Sequence, residues 1–123
     1  MANRVLIVDD ALIMRKRIKD IAENAGWEVA GEARNGAEAV ALYQQESPDL
    51  VTLDIVMPEK DGLAALKEVM AADPSARVVM VSAVDQREKL TECIETGAID
   101  FIVKPFDPAR LQSLFEKHYT PDA

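Results

Sequence analysis

Short apolar runs alternate with amphipathic stretches along the chain. Val5-Leu6-Ile7-Val8, Leu50-Val51-Thr52-Leu53, Val78-Val79-Met80-Val81 and Phe101-Ile102-Val103 are brief, rich in β-branched residues and free of regular polar alternation. Such runs suit strands buried on both faces, as in a parallel sheet. A fifth run, Trp27 to Gly31, alternates more and predicts an edge strand. Between the runs the pattern turns helical. Met14, Ile18, Ile21 and Ala25 make one apolar stripe that stops at Gly26, and 37–45 predicts a second helix broken by Ser47-Pro48. A third covers 62–72 and ends at Asp73-Pro74, a fourth covers 87–95 and is closed by Gly97, and a fifth covers 108–117 with proline at its first position. The order βαβαβαβαβα requires right-handed crossovers and a doubly wound five-stranded parallel sheet covered on both faces, an α/β fold. There is no internal repeat or linker, so 1–123 reads as a single domain, with only the tail from Thr120 looking loose.

Composition narrows the partners. Against 14 Lys and Arg stand 22 Asp and Glu, and a net charge of −8 repels nucleic acid and anionic membranes. Protein partners or small ligands are expected instead. Cys93 is the only cysteine, which excludes an internal disulfide and a multi-cysteine metal site and suggests a cytoplasmic protein. It reads as an inert thiol on the fourth helix. The first apolar run is too short for a signal peptide or a membrane span.

In open α/β sheets, ligands bind beyond the carboxyl ends of the strands. Those ends carry Asp9-Asp10 after the first strand, Asp54 after the third, Ser82 after the fourth and Lys104 after the fifth. A single aspartate after a strand is an ordinary helix cap, and a lone charge at a strand end is usually surface. Their joint placement asks for more. If the first and third strands are neighbours, three carboxylates meet, and a proton or a cation must relieve their repulsion. Oxygen ligands without His or Cys suit Mg²⁺, which pairs naturally with phosphoryl groups. A carboxylate beside Mg²⁺ can attack phosphorus, and Asp54 is central; Ser82 could donate to the phosphoryl group and Lys104 could balance its charge.

The segments LIVDDA, PDLVTLDIVMPEKDG, VVMVSA and FIVKPF resemble the receiver domain of two-component response regulators, from Arg4 to Lys117. The resemblance implies a flavodoxin-like (CheY-like) sheet of order 2-1-3-4-5. It makes Asp54 the phosphoacceptor and metal ligand, Asp10 the direct acidic ligand of Mg²⁺, and Asp9 a ligand acting mainly through metal-bound water. The Val56 backbone carbonyl would complete the set. Ser82 becomes the switch hydroxyl, Lys104 the phosphate-binding lysine, Phe101 the aromatic switch, and Lys104-Pro105 a cis peptide. Val56 and Val84 would flank the phosphoryl group, and since neither can orient a water, slow hydrolysis is expected.

The same resemblance implies a phosphodonor histidine kinase or histidine phosphotransfer protein docking partly on the first helix. It implies an output face on the fourth helix, fifth strand and fifth helix, where Lys89, Glu92, Glu95 and Arg110 stand as candidates. From its own composition, MRKRIK reads as a wet basic face and His118 as a surface residue. VLIVDDALIMR, GWEVAGEARNG and FIVKPFDPARL look most like stand-alone CheY-type chemotaxis regulators acting on the flagellar motor, as a monomer or a phosphorylation-linked dimer. A receiver cut from a longer regulator reads the same way. An enzyme is not expected beyond self-phosphorylation and self-dephosphorylation. A haloacid-dehalogenase-type phosphatase would place Asp-x-Asp after its first strand, a flavodoxin a hydroxyl-rich loop there, and a nucleotide hydrolase a Gly-Lys-Ser/Thr loop.

Overall fold

The computed structural model describes residues 3–83 and 85–121. Its elements alternate as β1 (Asn3–Val8), α1 (Leu12–Asn24), β2 (Trp27–Ala33), α2 (Gly36–Glu46), β3 (Leu50–Asp54), α3 (Gly62–Ala72), β4 (Val78–Ala83), α4 (Arg87–Thr96), β5 (Asp100–Lys104) and α5 (Pro108–His118). All strand pairs are parallel, in the order β2-β1-β3-β4-β5. Successive strand residues point to opposite faces. Val5, Ile7, Leu50, Val79, Val81 and Ile102 therefore pack with Ile18, Leu111 and Phe115 of α1 and α5. Leu6, Val8, Val51, Leu53, Val78 and Met80 pack with Tyr43, Leu66 and Cys93 of α2, α3 and α4. Two buried faces explain why β1, β3 and β4 read as continuous apolar runs.

The fifth strand departs from that expectation. β5 is an edge strand, only Ile102 of it is buried, and Phe101 lies 43 % exposed. Its apolar run is buried on one side and left open on the other. The tail also differs from the sequence reading: buried Asn3 accepts a hydrogen bond from the Thr120 N–H at 2.8 Å and donates its amide to the Thr120 carbonyl at 3.0 Å, which pins Thr120. His118 is half-buried, its Nε2 2.9 Å from Asp100 Oδ2. Burial pushes the Cys93 thiol up to about 11, consistent with an inert thiol. Among the described residues, no helix is long and apolar enough to cross a membrane.

Side chains cap three of the helices, while α1 and α4 start without one. Asn35, Asp61 and Asp107 accept backbone N–H bonds at the starts of α2, α3 and α5. The N-cap of α1 is Ala11, which offers no side-chain acceptor. Asp9 and Asp10 are therefore not spent on capping, although a cap is worth about 1 kcal/mol.

Candidate functional site

β1 and β3 are hydrogen-bonded neighbours, with Val8 paired to Leu53, so the residues that follow meet above the sheet. Carboxylate oxygens of Asp9, Asp10 and Asp54 lie within 4.8 Å of one another. Asp9 is 0 % and Asp54 6 % exposed, whereas Asp10 faces solvent. Lys104 arrives from β5, and its Nζ donates to Asp9 Oδ2 at 2.7 Å and to Asp54 Oδ2 at 3.2 Å. Lys104-Pro105 is a cis peptide, as the resemblance predicts. The Val56 N–H lies 3.4 Å from Asp54 Oδ1, at the long end of a hydrogen bond.

The charges constrain one another. Burial and the neighbouring Asp9 raise the Asp54 carboxyl above its ordinary value, with Lys104 working against them. Burial lowers the Lys104 ammonium, but its bonds and attraction to Asp9 and Asp54 outweigh that, so it is held more firmly protonated than usual. One lysine thus offsets part of three converging negative charges. A hard divalent cation fits the remainder: the donors are all carboxylate oxygens, the third is open to solvent, and no His or Cys joins the described cluster. Asp9, Asp10 and Asp54 are the residues that would hold it.

Ser82 is buried at the end of β4, and its hydroxyl donates to the Ala83 carbonyl at 2.9 Å. Register pairs Ser82 with Val103 and Ala83 with Lys104, which sets the hydroxyl and the lysine on adjacent strand ends. Ser82, Ala83, Val103 and Phe101, with Arg87, Leu90, Thr91, Ile94 and Glu95 of α4, line a cavity of about 470 Å³. The Phe101 ring is thus at the rim of this cavity, and the alternative that it is a buried core residue does not hold. Val56 stands 52 % exposed beside Asp54 and lines a second hollow with Asp85 to Lys89. Val84 lies outside the described residues.

Two supports escaped sequence reading. Gly62 starts α3 with its N–H on the Ile55 carbonyl at 2.7 Å, and a Cβ there would overlap the Asp54 carbonyl oxygen. Only glycine allows α3 to pack this closely on the end of β3. The basic run on α1 is also not uniformly wet. Arg15 has its side chain only 11 % exposed, donating to the Asp9 carbonyl at 2.7 Å and to Glu32 at 3.1 Å. A charge run hides one half-buried member because composition carries no directional signal. Lys89, among the output-face candidates, is exposed and pairs with Asp61 at 3.1 Å.

Comparison with known proteins agrees with this geometry. The family model of the response regulator receiver domain matches residues 5–116. The chemotaxis protein CheY of Thermotoga maritima is 53 % identical over 95 % of this chain and 98 % of its own, and CheY of Bacillus subtilis shows the same identity and coverage. Among solved structures, a chain of the CheX-CheY-BeF3-Mg²⁺ complex from Borrelia burgdorferi superposes with a TM-score of 0.87 at 38 % identity, covering 95 % of this chain and 90 % of that one. The response regulator domain of Thermotoga maritima CheB gives 0.85 at 37 %, covering 96 % and 94 %. With sheet order, strand-end residues and sequence in agreement, the chain belongs to the response regulator receiver domains of two-component systems and is a homologue of the CheY chemotaxis regulators.

Proposed function

We propose that the chain is a phosphorylation-controlled signalling switch that accepts a phosphoryl group on Asp54. The observation that carries this reading is the Lys104 ammonium bridging Asp54 and Asp9 while Asp10 completes a carboxylate cluster within 4.8 Å. An Asp54 oxygen attacks the phosphorus of a phosphohistidine on a histidine kinase or phosphotransfer protein; the O–P bond forms as the P–N bond breaks. Asp9, Asp10 and Asp54, with the Val56 carbonyl, would hold a Mg²⁺ ion, which would supply charge neutralisation for the phosphoryl oxygens. Lys104 moves from its two carboxylates onto a phosphoryl oxygen.

Ser82 then rotates its hydroxyl from the Ala83 carbonyl toward the new acceptor. The Phe101 ring enters the cavity beside it, so α4, β5 and α5 present a different face to the output partner. Phe101 has no hydroxyl, so the signal is carried by ring position and packing alone. The identity and full-length coverage of the CheY relatives favour chemotaxis output, with the flagellar motor switch as target. Beyond its own phosphorylation and dephosphorylation the protein turns over no substrate.

Intact mass after incubation with acetyl phosphate tests this. The expected result is a Mg²⁺-dependent gain of one phosphoryl group in the parent and none in Asp54→Ala. Failure to gain mass, together with failure to bind beryllofluoride, would overturn the reading. Val56 shields the phosphoryl group without orienting water, so the added mass should decay faster in Val56→Asn than in the parent.

A further inference from the structure

Asp9 has every polar group engaged. Its N–H donates to the Ala33 carbonyl at 3.0 Å, Oδ1 accepts from the Ala11 N–H at 2.9 Å, and Oδ2 accepts from Lys104. The fourth group is the carbonyl, which belongs to the Asp9-Asp10 peptide plane and accepts from Arg15 Nη1 at 2.7 Å. Fixing that plane fixes where Asp10 leaves the backbone. This matters because Asp10 is the exposed member of the cluster, and among the described residues its carboxylate makes no hydrogen bond of its own. Arg15 is in turn held by Glu32 of β2, the residue paired with Ile7 of β1. A planar guanidinium can bind two acceptors in a fixed relation, which an ammonium on a flexible stem does less well.

We infer that Arg15 is a positioning residue for a divalent-cation site: clamped by Glu32, it holds the Asp9-Asp10 peptide so that the Asp10 carboxylate stands at the cation. This rests on the reading of the acidic cluster as a Mg²⁺ site. The sign of the effect separates positioning from charge. Removing a cationic side chain beside three carboxylates strengthens cation binding by Coulomb's law alone. Removing a support of a metal ligand weakens it, by about tenfold or more where outer supports of metal ligands have been changed. Arg15→Met keeps the bulk of the stem and removes both donors and the charge, so the two effects oppose each other in one variant.

The test is a calorimetric titration of the whole chain with Mg²⁺ alone, at fixed ionic strength. Arg15→Met should bind about tenfold more weakly than the parent despite its more negative surroundings. Arg15→Lys, which keeps the charge but not the fork, should also bind more weakly than the parent. Binding by Arg15→Met as tight as the parent's, or tighter, overturns the positioning role. If Arg15→Met does not fold, Arg15→Lys decides: weaker binding at equal charge supports the role, and parent-like binding overturns it. A parent that binds no Mg²⁺ overturns the metal-site reading itself, a result distinct from parent and variants binding alike.

Discussion

Burial and Asp9 hold the Asp54 carboxyl above its ordinary range, and that shift has a definite consequence for stability. A carboxyl whose pKa is higher folded than unfolded binds its proton more tightly in the folded state. Its ionised form therefore costs stability, fully above the folded pKa and not at all once pH falls below the unfolded value of 3.8. In Mg²⁺-free buffer at pH 7, Asp54→Asn should melt at a higher temperature than the parent. The gain should shrink as pH falls toward 4. An Asp54→Asn protein melting at or below the parent at pH 7 would show that Lys104 more than compensates the buried charge. Lys104 has the same sign of linkage in a higher window: its stabilising contribution is complete below its unfolded value of 10.5 and is lost as pH rises through the raised folded pKa.

Among the elements, the β3–α3 connection has the tightest backbone constraint. Gly62 sits against the Asp54 carbonyl and the Ile55 Cα, both backbone atoms that cannot swing away. Gly62→Ala should cost about 1–3 kcal/mol in urea unfolding, as overpacking does, and slow phosphorylation by displacing the end of β3. Gly31→Ala is the control, since its Cβ would meet only the Leu6 and Leu42 side-chain tips at 3.6 and 3.9 Å. If both variants behave alike, the close approach at Gly62 has no bearing on the acceptor. The same loop shows where sequence reading stops. Strands and helices are legible because each apolar run or stripe matches the layer it packs on, and Asp9, Asp10, Asp54 and Lys104 are legible because charges at successive strand ends are conspicuous. Gly62 reads only as a helix start, since an interatomic approach leaves no compositional mark. Arg15 is masked by Lys16 and Arg17, and Thr120 by its separation of 117 positions from Asn3. β5 reads as fully buried because a run of three residues cannot tell a central strand from an edge.

At the scale of the whole molecule, the cluster concentrates three of the carboxylates of a chain at −8, so the folded state gathers negative charge that the unfolded chain disperses. A cation that binds only the folded state raises stability by mass action, about 2.7 kcal/mol at a concentration one hundred times its Kd. For a domain of this size that is about 10 °C in Tm. Asp10 is the exposed member of the cluster and has no buried partner to lose, so Asp10→Asn should leave the Mg²⁺-free melting temperature within about 2 °C of the parent. It should nevertheless remove most of the rise that Mg²⁺ produces. Monovalent salt at matched ionic strength screens the net charge in both proteins equally, and supplies the baseline. A Mg²⁺-dependent rise beyond that baseline in the parent, largely absent from Asp10→Asn, ties the stabilisation to the strand-end cluster. Equal rises in the two proteins would mean that Mg²⁺ acts on the diffuse acidic surface, and that the three carboxylates do not form a specific site.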